Sequence, residues 1–152
     1  MVMDPSAKNG SLKLKKVSSD DDTRIENTIR NSVFVIEQNV QPEIEYDEFE
    51  NESIHYLILD NERPVGCIRY RWKGPDIKIE RLAVLEDLRK KGYGAFAIFE
   101  LLKIILDLGA RNIYLHSQVI AKEFYQKCGF SEVGPVFKEA DIDHVKMYYR
   151  KE

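Results

Sequence analysis

Residues 89–94 read Arg-Lys-Lys-Gly-Tyr-Gly, three cations and two glycines ahead of an apolar run. Glycine lets backbone come close to a ligand. A helix starting there would present free N–H groups and about half a unit of positive charge. Together these features suit a pyrophosphate. Two other phosphate-binding patterns fit less well. The Gly-x4-Gly-Lys-Ser/Thr run of nucleotide hydrolases is absent. Gly92, Gly94 and Ala97 satisfy Gly-x-Gly-x-x-Ala by letter, but six mostly charged residues separate them from the preceding strand. The next strand also ends without an acid to hold a ribose. A solvated basic loop is the plain alternative.

The residues just before this loop carry a second signal. In 77–84, Ile-Lys-Ile-Glu-Arg-Leu-Ala-Val, apolar side chains fall at 77 and 79, then at 82 and 84. The alternation slips phase at Glu80-Arg81. A one-residue slip is what a β-bulge produces, and bulges gather at active sites. A strand covered on both faces would need no bulge.

The elements that must position these residues follow from periodicity. Residues 12–17 alternate as a first strand. Ser19 with Asp22 resembles a capping box, and Ile25, Ile29, Val33 and Ile36 recur at helical spacing. That helix is expected to fade near Asn39, before Pro42. Residues 43–52 hold six carboxylates and read as a loop or short irregular helix. Short strands at 54–59, 65–72 and 77–85, joined by tight turns, imply an antiparallel meander. A largely buried helix is expected over 93–108, stopped by Gly109. A strand at 112–116, a helix at 119–127 and strands at 131–138 and 144–149 complete the chain. The fold class is α+β: a mixed, largely antiparallel sheet with helices on both faces. Only the strands flanking the buried helix should pair in parallel.

Composition sets the bounds. The chain has 152 residues, 43% hydrophobic and 32% charged, and a net charge of -3. That suits one domain over 11–152, with residues 1–10 an irregular tail. A basic footprint for nucleic acid is missing. No uninterrupted apolar stretch is long enough for a membrane span, and no basic-then-apolar signal opens the sequence. Cys67 and Cys128 match no zinc spacing and read as buried thiols of a reducing compartment, so no metal is expected and the cytoplasm is the expected location.

Leu82-Ala83-Val84 followed by Arg89-Lys90-Lys91-Gly92-Tyr93-Gly94-Ala95 resembles the acyl-CoA-binding motif of the GNAT superfamily of N-acetyltransferases. Gln118, Ala121, Phe124-Tyr125 and Cys128-Gly129-Phe130 resemble its second motif. Gln118 stands where the family usually has Asn, with the same amide. Residues 33–38, His55 and Ile142-Asp143-His144 resemble a subfamily of short GNAT proteins of unassigned substrate. His55 and His144 are therefore candidate substrate contacts.

The resemblance implies acetyl transfer from acetyl-CoA, as co-substrate, directly to a primary amine of a small molecule or peptide. A non-catalytic acyl-CoA-binding module on the same fold is the alternative. Expected partners are that amine and, as a homodimer, a second copy of the chain. The chemistry has three requirements. An alkylamine must lose a proton to attack, the tetrahedral oxyanion needs a donor, and the departing thiolate benefits from an acid. Tyr125 sits where the family places the acid; packing beside Phe124 and Phe130 is its structural reading. Val84 N–H can meet the thioester carbonyl if the bulge leaves it unpaired. Glu80 is the candidate base, directly or through water. His55, His116 and His144 are its rivals, and a surface ion pair with Arg69 or Arg81 is its structural reading. The carboxylate run at 43–52 either attracts a cationic amine or is a solvated face.

Overall fold

The computed structural model describes residues 11–150; the tail expected at 1–10 lies outside the described residues. Seven strands form one sheet: β1 (Leu12–Lys16), β2 (Ile54–Asp60), β3 (Arg63–Lys73), β4 (Asp76–Val84), β5 (Ile113–Gln118), β6 (Phe130–Glu139) and β7 (Ile142–Tyr149). Their order is β1-β2-β3-β4-β5-β7-β6. Among the described residues only β4 and β5 run parallel, and the connection between them carries α3 (Tyr93–Ile105). The other helices are α1 (Asp20–Arg30), α2 (Pro42–Glu45) and α4 (Lys122–Lys127).

Helix α3 is apolar nearly all round because it is buried nearly all round. Ile98, Leu101 and Ile105 are fully covered and pack with Ile68, Ile77 and Met147 of the sheet. Each such side chain contributes about 1.5–3 kcal/mol. Gly109, left-handed at φ 85°, follows the 3₁₀ turn that ends the helix. Helix α1 packs a smaller cluster, Ile29 with Leu57, Leu59, Cys67 and Ala83, on the opposite face. Ser19 caps α1 by accepting from Asp22 N–H at 3.1 Å.

Two helix expectations need correction. The first helix does not continue regularly: residues Asn31–Glu37 widen into a π-helix, with Gln38 N–H bonding Val33 O. The wider turn rotates the apolar stripe, so Ile36, expected inside, is 72% exposed. The helix expected over 119–127 is α only from Lys122, preceded by a 3₁₀ turn at Val119–Ala121.

The strand pattern puts polar side chains on one sheet face. Arg69 and Arg71 of β3 stand opposite Glu80 and Lys78 of β4; Lys78 is level with Tyr114 of β5; His116 and Gln118 face Lys146 and His144 of β7. Paired residues share a face, so these side chains form one polar surface across the sheet. Helix α1 and the 42–53 segment cover its β2–β3 half.

Candidate active site

The bulge lies where the apolar phase slips. Cys67 pairs with Ala83 and Arg69 with Glu80, leaving two residues of β4 opposite Ile68. Arg81 takes φ 59°, the left-handed value that lets the strand turn over. Ile77 and Ile79 therefore face α3, as do Leu82 and Val84, while Ala83 turns to the α1 side. Gly66 is required opposite, because a Cβ there would lie 2.3 Å from Ala83 O.

Beyond the bulge, β4 and β5 part. Their ladder ends at Ile79 and Leu115, so neither the end of β4 nor the segment His116–Gln118 has the other as partner. Leu85 N–H bonds Val65 O of β3 at 3.1 Å. Alternate residues of a strand point their amides to opposite sides, so Val84 N–H is directed into the gap.

A cleft of about 380 Å³ occupies this split. Leu82 and Tyr125 line it on the α3 side, and Glu80, His116, Gln118 and His144 on the polar side. Arg71, Lys78, Phe49 and Glu139 also face it.

At the split, α3 begins on Gly92 at φ 87°, with no side chain capping its amides. A Cβ on Gly92 would meet nothing within 4 Å, so the space beside the backbone is open. Gly94 packs on Phe124, where a Cβ would come to 3.2 Å, which joins α3 to α4. Lys90 and Lys91 are exposed beside the turn. Arg89 differs from expectation: both its terminal nitrogens bind Glu37 at 2.6 Å and its Nε donates to Val84 O at 3.0 Å. Its charge is matched by Glu37, so it braces the turn. Tyr93 points away from the cleft, its hydroxyl donating to Asp60 at 2.5 Å. The loop thus offers a ligand the backbone of 92–95 and the two lysines.

Tyr125 packs edge-on to Phe124 at 4.9 Å and Phe130 at 6.2 Å between ring centroids. Its hydroxyl has no hydrogen-bond partner among the described residues. Burial pushes the phenol above its ordinary range, so it is protonated at neutral pH. Gln118 donates to the Gln38 side chain at 2.8 Å on the same wall.

Glu80 is not poised to take a proton. Burial alone would raise its carboxyl, but Lys78 at 3.0 Å, Arg69 at 3.0 Å and Arg71 at 2.9 Å outweigh that and hold it at about 2. His55 is remote from the cleft: Glu26 at 2.7 Å and the Glu50 carbonyl at 2.9 Å occupy both its ring nitrogens. His144 lines the cleft, with Nδ1 donating to Ile142 O at 2.7 Å and Nε2 3.7 Å from Glu139.

His116 has the arrangement a base needs. Its Nδ1 lies 3.1 Å from Glu139 Oε1. A carboxylate can only accept, which puts a proton on Nδ1; in the neutral ring the Nε2 lone pair is then the open one. Nε2 has no partner among the described residues. The bond to His116 holds the Glu139 carboxyl below its ordinary range, with burial acting against it, so Glu139 is ionised at neutral pH.

The carboxylate run at 43–52 is neither a solvated face nor an open lure for cations. Glu45, Asp47 and Glu50 turn inward to the guanidinium groups of Arg30, Arg69 and Arg81, at 2.6 to 3.2 Å. Glu43, Glu48 and Glu52 remain exposed. Sequence reading passed over Arg71, Lys78 and Glu139. The available signal was arginine at every second position of an otherwise apolar strand, Arg69 and Arg71 among Cys67, Ile68, Tyr70 and Trp72.

The model of the acetyltransferase (GNAT) family matches residues 24–130. A Bacillus subtilis relative named as an uncharacterized N-acetyltransferase, YjcF, is 42% identical over 120 residues, covering 78% of this chain and 86% of its own. By structure, an acyl-CoA N-acyltransferase from Pseudomonas aeruginosa superposes with a TM-score of 0.79 at 22% identity, over 91% of this chain and 98% of that one. Spermidine N-acetyltransferase from Vibrio cholerae, solved with CoA and spermine, superposes with a TM-score of 0.72 at 20% identity, over 92% and 95%. At these identities the two structures speak for the fold.

Proposed function

Since the chain belongs to the GNAT acetyltransferase family, we propose that it moves an acetyl group from acetyl-CoA directly to a primary amine. The carrying observation is the parting of β4 and β5 beside an uncapped, glycine-started helix. Open helix amides near a split in the sheet support a phosphate site beside a reaction cleft. The residues present fit acyl-CoA. Backbone amides of 92–95, with Lys90 and Lys91, suit the pyrophosphate. The pantetheine arm, an extended amide chain, suits the freed edge of β4 from Leu82 to Val84.

Val84 N–H donates to the thioester carbonyl and steadies the oxyanion. His116 Nε2 takes the proton of the attacking amine, and Glu139 steadies the imidazolium that results. Tyr125 donates to the leaving thiolate. That thiolate forms against the same buried wall, which raises its own affinity for a proton. Glu80, held near 2, fixes Arg71 and Lys78. Gln118 anchors the cleft wall through Gln38.

The test is release of free CoA thiol from acetyl-CoA across polyamines, amino sugars, amino acids and peptide N-termini. Amine-dependent release is expected, and it should fall by about 10²-fold in His116→Ala. Tight acetyl-CoA binding without release for any amine would instead make the chain a binding module.

A further inference from the structure

The floor of the cleft carries two cations, Arg71 and Lys78, that share one carboxylate, Glu80. Arg71 is 7% exposed at its side chain, and its guanidinium lies 3.7 Å over the Phe49 ring. Its Nε donates to Glu80. Its two terminal nitrogens, four N–H donors, make no hydrogen bond among the described residues, and the side chain lines the cleft. Lys78 stands beside it with its ammonium on Glu80 at 3.0 Å. Glu80 also serves Arg69, so one shared carboxylate stands against two cleft-facing cations. No buried side-chain nitrogen or oxygen lacks a partner among the described residues, so the Arg71 terminal nitrogens are reachable from the cleft and open to a ligand's oxygens.

The opposite charge is displaced toward His116. Glu139 is 42% exposed at its side chain and lies between His116 and His144. The cleft therefore has an anionic rim where the amine must be deprotonated and a cationic floor further from the loop. The register sets the separation. His116 lies two residues along β5 from Tyr114, which is level with Lys78; two residues of strand span about 7 Å. Long side chains from the floor shorten that gap.

We propose that the acceptor carries an oxyacid group, carboxylate or phosphate, besides its amine, and that Arg71 with Lys78 binds it. This rests on the transferase reading above. The planar fork of Arg71 matches either group by two parallel hydrogen bonds, and Lys78 adds a point charge. Glu139 attracts the ammonium end, so the cleft is complementary to a zwitterion. A polycation without an oxyacid would meet Arg71 and Lys78 as repulsion.

The experiment is steady-state thiol release with matched acceptors: an amino acid against its carboxamide, and a phosphorylated amino sugar against the free amino sugar, with spermidine as the polycation. The expected result is a kcat/KM at least tenfold higher for the oxyacid member of one pair. The winning pair identifies carboxylate or phosphate. In Arg71→Gln the preference should shrink by about 10- to 100-fold, mainly through KM, as for a lost charge-assisted hydrogen bond. Arg71→Lys should restore part of it. Lys78→Met supplies the same readout if Arg71→Gln fails to fold. Equal or better turnover of the neutral members or of spermidine overturns this inference and leaves the transferase intact. An unchanged preference in both folded variants also overturns it. No release with any amine, despite acetyl-CoA binding, removes the transferase reading and this inference with it.

Discussion

Tyr125→Phe separates a catalytic hydroxyl from a packed ring. The substitution removes one oxygen and keeps the contacts with Phe124 and Phe130. That oxygen has no hydrogen-bond partner among the described residues, so no hydrogen bond within them is lost. Unfolding free energy should change by no more than about 0.5 kcal/mol, the usual range for a change that breaks no interaction. If the hydroxyl protonates the leaving thiolate, turnover should drop by about 10²-fold, or about 2.7 kcal/mol of barrier. Acetyl-CoA affinity should move far less, because the proton matters mainly in the transition state. The assay is steady-state thiol release with a turned-over amine, paired with calorimetric acetyl-CoA binding and a urea unfolding curve. A Phe variant within about twofold of the parent rate, about 0.4 kcal/mol, would refute the assignment. Lower stability with unchanged turnover per folded molecule would make the hydroxyl structural.

Other perturbations test other parts of the account. Gly92→Val should weaken acetyl-CoA binding at least tenfold by calorimetry. It puts a branched side chain into the open space proposed for the pyrophosphate, and it strains a left-handed residue by about 1–2 kcal/mol. Arg30→Met should lower stability in urea by about 1–3 kcal/mol, because it strips hydrogen bonds from buried Glu45 and half-buried Glu50 while Arg81 and Arg69 still face them. Glu80 is held below its ordinary 4.5, at about 2, so its contribution is complete above the higher value and is lost as pH falls toward the lower. That amounts to about 3 kcal/mol between those limits. Acid unfolding curves of Glu80→Gln should be flatter there, and a slope equal to the parent's would remove Glu80 as the source.

What the sequence made legible was local and periodic. The phase slip at Glu80-Arg81 located the bulge, and the glycines at 92 and 94 located the helix start, because both are written in adjacent residues. The parallel pair and the buried helix between its strands followed from handedness and from the apolar surface of residues 95–105. What stayed hidden depended on partners far along the chain. Glu80 reads as a free carboxylate until β3 brings Arg69 and Arg71 against it. His116 and Glu139 are 23 residues apart, and only the pairing of β5, β7 and β6 joins them. His55 shows the reverse. A histidine beside a strand start looks available until α1 supplies Glu26. The π-helix at Asn31–Glu37 left no periodic trace, since Val33 and Ile36 fit a regular helix equally well.

Direct transfer to nitrogen within the split between β4 and β5 is what the proposed chemistry stands on. It is tested most directly by following the acetyl group itself. Purified protein is incubated with acetyl-CoA labelled in the acetyl carbon and with an amine that supports thiol release, and the amine is analysed by mass spectrometry and by NMR. Direct transfer leaves one labelled acetyl group on the amine nitrogen for each thiol released, with both signals falling together in His116→Ala and Tyr125→Phe. Thiol release with free labelled acetate and an unmodified amine, or equal transfer by both variants, would contradict it.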